Sequence, residues 1–506
     1  MDINQIINNN KQLLIDNYFE LQTQAEHKYG KNTIVFIEIG SFYEVYESDK
    51  VGKASEIAKS LNILLTKKNK KIPELSSKNP FLCGIPTVSL DKHLQKLSSE
   101  NKWTILLISQ KGRPPHITRY LEKIISPGTN IDFVNSESSS FIASVYFDKN
   151  KNDIFSAGVS LIDVTIGSVF TYEKYGISND KEIVLDEVRQ ILSTKNISEL
   201  IIIHDIEDDS FLESFSNHLV LVKKEKEVKD NFNINYQNEI FKHTFKTSSY
   251  LSPIEEINME RMPFATISLS VLLDFIIEHN KLICENLQIP IDIFSSKYMY
   301  LGNNPLSQLD VYNKEGIDVL SIVNKGISSF GKRFIREQLM NPLKSKEVIE
   351  ERYLNSLDYL ETNNENRKEI ESRIKSIYDL ERLLRKVEIG TIQPFEFTNL
   401  YTSLKEISLI EDLDKVSDSD FLNFLDYIND IFDIDIMSLS NLTNITQTFI
   451  QKGVSTKIDE SQIKINELLS KKDSILESLD ESITLKSSET EGYFLEVSKK
   501  KYKEEL

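Results

Sequence analysis

An aromatic ring and a carboxylate two residues apart follow an apolar run in Gly40-Ser41-Phe42-Tyr43-Glu44-Val45-Tyr46. A strand ending at Gly40 would present the next side chains at a domain surface, where a Phe beside an acid is unusual. There the Phe42 ring suits wedging between base steps in the minor groove of a duplex, unstacking and kinking it. A mispair lowers the cost of unstacking, so such a wedge reads deformability rather than base identity. Glu44 would accept a hydrogen bond from a displaced base, or donate one if protonated. The opposing reading keeps Phe42 and Tyr43 as core aromatics at a strand end, and composition alone favours it.

Other chemistries find little foothold. Gly326-Ile-Ser-Ser-Phe-Gly331-Lys332 meets the glycine and lysine spacing of a phosphate loop, but Arg333 stands where a Ser or Thr would hold magnesium. No apolar strand runs directly into Gly326, so the segment reads as structural and the chain is not expected to bind ATP. Asp163, Asp186 and Glu187 suggest a two-metal nuclease, yet nothing fixes their convergence, and they read as surface carboxylates. The seven His form no metal-ligand cluster, and no Gly-x-Ser-x-Gly elbow supports acyl chemistry. Only Cys83 and Cys284 are present, about 200 positions apart, which supports neither a disulfide framework nor a metal cluster and fits a reducing compartment.

Charge narrows the partner. The chain carries −18 overall, which argues against indiscriminate binding to a polyanion. Residues 1–130 nevertheless hold 18 Lys or Arg against 13 Asp or Glu, a net of +5, leaving −23 for the remainder. Lys67, Lys68, Lys70, Lys71, Arg113, Arg119 and Lys123 concentrate that charge. A solvated loop accounts for Lys67 to Lys71 taken alone, whereas the regional asymmetry favours a phosphate-facing surface.

The elements that must carry these residues follow from pattern. At 506 residues, three or four domains are expected. Thr33–Ile39 and Trp103–Ser109 read as strands, Ala54–Ile63 and Val88–Leu97 as helices, giving a small mixed α/β domain over 1–130. Phe141–Phe147, Gly158–Asp163, Ser168–Tyr172 and Glu199–Ile203 read as strands around a helix at Lys181–Leu192, a second α/β domain over 131–245. Beyond about 250 strands vanish and amphipathic helices are expected over 266–288, 317–340, 346–362, 365–388 and 396–408, an elongated all-α body over 246–460. A helix at Ile463–Leu479 and a strand at Gly492–Val497 begin a further, incomplete domain over 461–506, ending in Lys499, Lys500, Lys501 and Lys503. No signal peptide or membrane-spanning run is present in the sequence, so a soluble intracellular protein is expected, its compartment open.

These motifs resemble the MutS family. Gly40 to Tyr46 is similar to the Gly-x-Phe-Tyr-Glu-x-Phe/Tyr motif that opens its mismatch-binding domain. Leu61-Asn-Ile-Leu-Leu-Thr66, Cys83-Gly-Ile-Pro86, Ser109-Gln110 and Ile124-Ile-Ser-Pro-Gly-Thr129 resemble later motifs of that domain in the same order. Gly158 to Gly167 resembles the RNase H-like connector. Leu320 to Leu343 and Tyr378 to Leu384 resemble the lever, and Gly453 to Glu460 with Gly492 to Val497 the clamp. Ser41 in place of Asp, Thr87-Val88 after Gly-Ile-Pro, and a long Lys-rich loop at 67–79 depart from the bacterial pattern and resemble divergent members from large DNA viruses and organelles.

The resemblance implies a DNA mismatch sensor with Phe42 as the wedge and Glu44 at the displaced base. It implies backbone contacts by Lys123, by Arg119 one helical turn earlier, and by Lys499 and Lys500, for which a basic tail is the alternative. Double-stranded DNA with mismatches is the implied partner. A homodimer or MutS-like heterodimer and downstream repair factors are implied for a full-length protein, and no membrane. ATP and magnesium are expected only in a C-terminal ATPase domain missing from this chain, with no cofactor in the chain itself. A binder of branched or recombining DNA and a helical scaffold that binds no DNA are the other readings.

Overall fold

The computed structural model describes residues 3–9, 12–72, 74–112, 116–132, 138–177, 180–293, 298–299, 301, 305–312, 317–361, 364–410, 419–440, 442, 445, 447–477, 483–488 and 492–497. They fall into two units, residues 1–391 and 392–506. The fold is mixed α/β through its N-terminal part and mainly helical after it.

The first unit opens with helices α1 (Ile3–Ile7) and α2 (Leu14–Tyr29), then β1 (Thr33–Ile39), β2 (Phe42–Glu47), α3 (Ala54–Leu61), β3 (Thr66–Lys67), β4 (Phe81–Pro86), α4 (Leu90–Ser99), β5 (Thr104–Lys111) and β6 (Thr118–Ile125). The strands form one sheet in the order β3-β4-β2-β1-β5-β6. β1 is parallel to β5, and β2 folds back antiparallel on β1. Because β1 is apolar at nearly every position, both its faces need cover. Ile34 and Phe36 pack with Tyr43, Val45, Cys83 and Ile85 beneath α3 and α4. Val35 and Ile37 pack with Tyr46, Leu106 and Ile108 beneath α1 and α2. Helix α2 has no counterpart in the sequence reading. Asn17 and Gln22 share its buried face with Tyr18, Leu21 and Ala25, and these polar residues mask the apolar stripe. Gln22 sits there because its amide donates to the Thr33 carbonyl (2.7 Å) and accepts from the Val35 N–H (2.9 Å).

A second sheet, in the order β11-β10-β7-β8-β9-β12, is built from β7 (Phe141–Lys149), β8 (Phe155–Asp163), β9 (Ser168–Tyr175), β10 (Ile197–Ile203), β11 (Val220–Lys223) and β12 (Ile291–Asp292). Helix α5 (Glu182–Thr194) covers one face through Val184, Leu185, Val188 and Ile191. The other face is covered by α6 (Ile234–Thr244), α7 (Pro253–Glu256) and α8 (Pro263–His279), with Leu269, Leu272, Leu273 and Ile276 of α8 in the core. Residues 246–279, grouped by the sequence with the later helices, thus complete the second sheet, because α8 is apolar on nearly all sides and needs a buried seat. Gly158 lets α8 sit this close: a Cβ there would lie 2.1 Å from the Phe264 carbonyl carbon and 2.2 Å from the Ala265 nitrogen. Strands do not vanish beyond 250 either, since β12 extends this sheet by two residues alongside β9.

The two sheets are joined through the turn Ser126-Pro127-Gly128-Thr129. Glu199 on β10 accepts from the Ser126 hydroxyl (2.6 Å) and the Gly128 N–H (3.0 Å). Burial raises its carboxyl from the usual 4.5 to about 7. A Cβ on Gly128 would lie 2.3 Å from Ile142 Cγ1, so the turn approaches the second sheet as only glycine allows.

Helices α9 (Pro305–Gln308), α10 (Val319–Val323), α11 (Ser329–Met340), α12 (Lys346–Glu361), α13 (Asn364–Lys375) and α14 (Leu380–Glu388) complete the first unit. The continuous helix expected over 317–340 is broken, because Ser328 turns its hydroxyl to the Gly331 N–H (3.1 Å) and starts α11 afresh. That expected over 365–388 breaks before Asp379, which with Glu381 receives Arg333 (2.7, 2.7 and 2.5 Å). In the second unit, α15 (Pro394–Ser408), α16 (Ser419–Ile431) and α17 (Ile434–Ser438) precede α18 (Thr456–Glu477) and a hairpin of β13 (Ile483–Ser488) and β14 (Gly492–Val497). Phe432 packs between Phe397 (5.6 Å) and Phe449 (6.3 Å). No helix among the described residues is long and apolar enough to cross a membrane.

Two outcomes follow. Gly158→Ala should lower the unfolding free energy by about 1–3 kcal/mol in urea melts, since α8 must back away from β8. Glu199 in the folded chain keeps a proton that the unfolded chain has already lost, so its contribution to stability falls as pH rises from about 4.5 to about 7. Glu199→Gln, which retains both acceptor contacts, should flatten that slope in melts taken across the same window.

Candidate nucleic-acid interface

Phe42 projects because of a hairpin. Ile39 pairs with Phe42 across a loop of Gly40 and Ser41, and Gly40 takes φ +63°. Of the two loop residues only the first is left-handed, the pattern of a tight turn that places Gly there. The turn is clamped from β5: Gln110 Nε2 donates to the Gly40 carbonyl (2.8 Å) and its Oε1 accepts from the Gly40 N–H (3.4 Å). On the other flank the Thr87 N–H donates to the Ser41 carbonyl (3.0 Å).

Alternation along β2 then sorts the side chains. Tyr43 and Val45 enter the core beneath α3 and α4. Phe42, Glu44 and Tyr46 share the other face, where Tyr46 packs edge-on to Tyr18 (5.1 Å) but Phe42 stands 43 % exposed. Phe42 Cδ1 and Glu44 Cγ lie 3.6 and 3.5 Å from where a Gly84 Cβ would stand, so both lean over a position with no side chain. Glu44 is half-buried and accepts a hydrogen bond from the Tyr46 hydroxyl. Burial first, then Glu44, hold the Tyr46 phenol far above its usual range, so it keeps its proton. On the opposite face Tyr43 meets the Ser109 hydroxyl (2.7 Å), and burial pushes its phenol up to about 12.

The candidate cations are not gathered around this tip. Arg119 lies on β6 opposite Gln110, at the same end of the sheet, its Nε donating to the Glu38 carbonyl (3.4 Å). Burial lowers its guanidinium, with Glu38 opposing. Lys123 is also on β6, opposite Leu107, whose side chain packs beneath α3 and α4. The expectation of one helical turn between the two is thus corrected: the segment is a strand with a register shift, and Lys123 faces away from Arg119. Lys67 stands over the Phe81 ring (5.2 Å), and Phe81 pairs with Glu47, at the far end of β2 from Phe42. Lys68, Lys70 and Lys71 are exposed in the loop that follows. Five strand residues, roughly 16 Å, separate that end from Phe42. Arg113, Lys499 and Lys500 lie outside the described residues.

The other clusters resolve into structural roles. Asp163 is no surface carboxylate: it is 1 % exposed and accepts from the Ser140 N–H (3.1 Å), the Thr165 N–H (2.9 Å) and the Thr165 hydroxyl (2.6 Å). Asp186 pairs with Arg189 (2.7 Å) and Glu187 with Lys174 (2.6 Å). No group of three or more His, Cys, Asp or Glu able to hold a metal occurs among the described residues. The sequence reading did not single out Gln110 or Thr87 as site residues. Gln110 was legible only as part of the Ser109-Gln110 motif, since its role depends on β5 lying beside β1.

This geometry defines a protein that presents a clamped aromatic tip and a tethered acid at one end of a sheet. A family model described as MutS domain I matches residues 14–134, and one described as MutS domain III matches residues 285–495. The chain is 29% identical, over 97% of its length, to a putative DNA mismatch repair protein, a mutS homologue, of Acanthamoeba polyphaga mimivirus, covering 50% of that protein. It is 25% identical to the DNA mismatch repair protein MutS of Caldanaerobacter subterraneus subsp. tengcongensis over 78% of its length and 43% of the relative. Against the DNA mismatch repair protein MutS of Flavobacterium psychrophilum the figures are 28%, 77% and 42%. The chain belongs to the MutS family, and it spans about half the length of the curated relatives it matches.

Gln110→Ala should leave the fold intact, at a cost of about 1 kcal/mol, while the hairpin loosens. Amide hydrogen exchange read at Ser41 and Phe42 is expected to quicken selectively relative to the β1 core.

Proposed function

We propose that this chain is the DNA-probing part of a mismatch-repair sensor. It binds duplex DNA at mispaired or unpaired bases, with Phe42 entering the stack and Glu44 meeting the displaced base. The observation that carries the reading is the exposed Phe42 sharing one strand face with Glu44 at the end of a clamped hairpin. Insertion requires unstacking, which costs less at a mispair than in paired duplex, so a rigid tip discriminates where a mobile one would retreat. Arg119, at the same end of the sheet, suits the nearby backbone. Lys67, Lys68, Lys70 and Lys71 would reach phosphates farther along the duplex, and Lys123 those on the other side of the sheet.

This reading assigns ATP and magnesium to no residue of the chain. A homodimer or MutS-like heterodimer, and downstream repair factors, belong to the proposed protein as a whole.

The test is competition binding at stated salt, with fluorescent duplexes that differ only by one mispair. The chain should prefer the mispaired duplex, and Phe42→Ala should reduce affinity for it about tenfold or more, the scale of one lost ring–base stack. Equal affinity of the wild-type chain for both duplexes would refute the reading. The net −23 on residues 131–506 favours a second one, a scaffold for partner proteins, and failure to retard any DNA at low salt would select it. A four-way junction outcompeting every mispair would instead select a binder of branched DNA.

A further inference from the structure

Glu44 does not point freely at a ligand. Its carboxylate is bonded by the hydroxyl of Tyr46, two residues on along the same strand face. The Tyr46 ring is 8 % exposed and packs edge-on against Tyr18, a fully buried ring. Tyr18 is fixed in turn, its hydroxyl donating to the Val35 carbonyl (3.0 Å) and accepting from the Tyr46 N–H (3.2 Å). A chain of packed and hydrogen-bonded groups therefore runs from the centre of β1 to the acid beside the exposed ring. Arg119 adds a cation to the surroundings of the Tyr46 phenol.

The chemistry of the contact is directional. A phenol held protonated by burial has a hydrogen to give, so it donates to one carboxylate oxygen and leaves the other to accept. A glutamate has three rotatable side-chain bonds, and fixing them before the ligand arrives removes an ordering cost from binding. An acceptor held in place also selects. It rewards a base that turns an N–H toward it and penalises one that turns only a lone pair, because an unpaired buried acceptor is costly.

We propose that Tyr46 is a specificity-determining positioning residue, whose hydroxyl pins Glu44 as a hydrogen-bond acceptor for an N–H of the displaced base. The inference deepens the proposed function and rests on it. Phe42 supplies the entry into the stack, the Tyr46–Glu44 pair reads what has been displaced, and the two contributions are separable by mutation.

The experiment is a double-mutant cycle in the whole chain, comparing wild type, Tyr46→Phe, Glu44→Ala and the double variant. Phe42→Ala serves as the reference for loss of intercalation. Each protein is titrated with a paired duplex and with duplexes carrying each single mispair, and the ratio of mispaired to paired affinity is read. Thermal melts establish that each variant is folded. Tyr46→Phe should reduce the ratio about threefold to tenfold, most for one subset of mispairs, and should change it no further once Glu44 is alanine. That loss of effect in the Glu44→Ala background is the signature a merely structural role would not give. Equal effects of Tyr46→Phe in both backgrounds would overturn the proposal, as would an unchanged ratio in Tyr46→Phe alongside a lost preference in Phe42→Ala. Absence of any preference in the wild-type chain would instead overturn the underlying reading, and the Tyr46 assignment with it.

Discussion

The candidate site depends on the register of β2. Side chains alternate across a sheet with a period of two, so the pairing of Ile39 with Phe42 decides which residues are core and which are presented. In the observed register Tyr43 and Val45 fill the space beneath α3 and α4, and Phe42, Glu44 and Tyr46 share the other face. A slip of one residue would drive Glu44 into an apolar core and leave Tyr43 outside. The two-residue loop, the left-handed Gly40 and the Gln110 clamp all hold against that slip. Rigidity matters because an exposed ring on a pliable segment would fold back onto nearby apolar surface rather than stand out in solvent. Phe42 instead extends a strand whose neighbour, β1, is buried on both faces.

Much of this was legible in sequence because β1 and strands β7 and β10 of the second sheet carry apolar runs. Thr33–Ile39 emerges with the bounds its pattern implies, and Phe42 and Glu44 stand on one face as a surface motif would require. What the pattern hid is equally physical. Asn17 and Gln22 lie on the buried face of α2 because they satisfy backbone groups, so periodicity alone passes over the helix. Arg119 and Lys123 are four residues apart, a spacing that suggests a shared helical face, yet they occupy a strand with an irregular register that turns them apart. Asp163 looks like a solvent-facing acid but is consumed by backbone and hydroxyl donors in a buried turn. The lysine run sits at the wrong end of β2 to assist Phe42 directly, which no count of charges reveals.

Polar side chains at buried positions recur through the first unit, and several of them bond backbone groups of a neighbouring element. Gln22 bridges two backbone groups of β1, Ser160 donates to the Ala265 carbonyl (3.1 Å) and Ser268 to the Ser144 carbonyl (2.7 Å). The last two stitch α8 to the second sheet where Gly158 has removed the spacer a side chain would provide. Such contacts specify a single seating for each helix, whereas apolar packing alone tolerates sliding.

The turn at Ser126 to Thr129 carries a mechanical implication. Its hydroxyls, a backbone amide and Glu199 interlock, and Gly128 sits against Ile142 with no space for so much as a methyl group. A joint of that kind has no slack. Force applied at the tip of the first sheet would have a direct route through these contacts to β7 and β10.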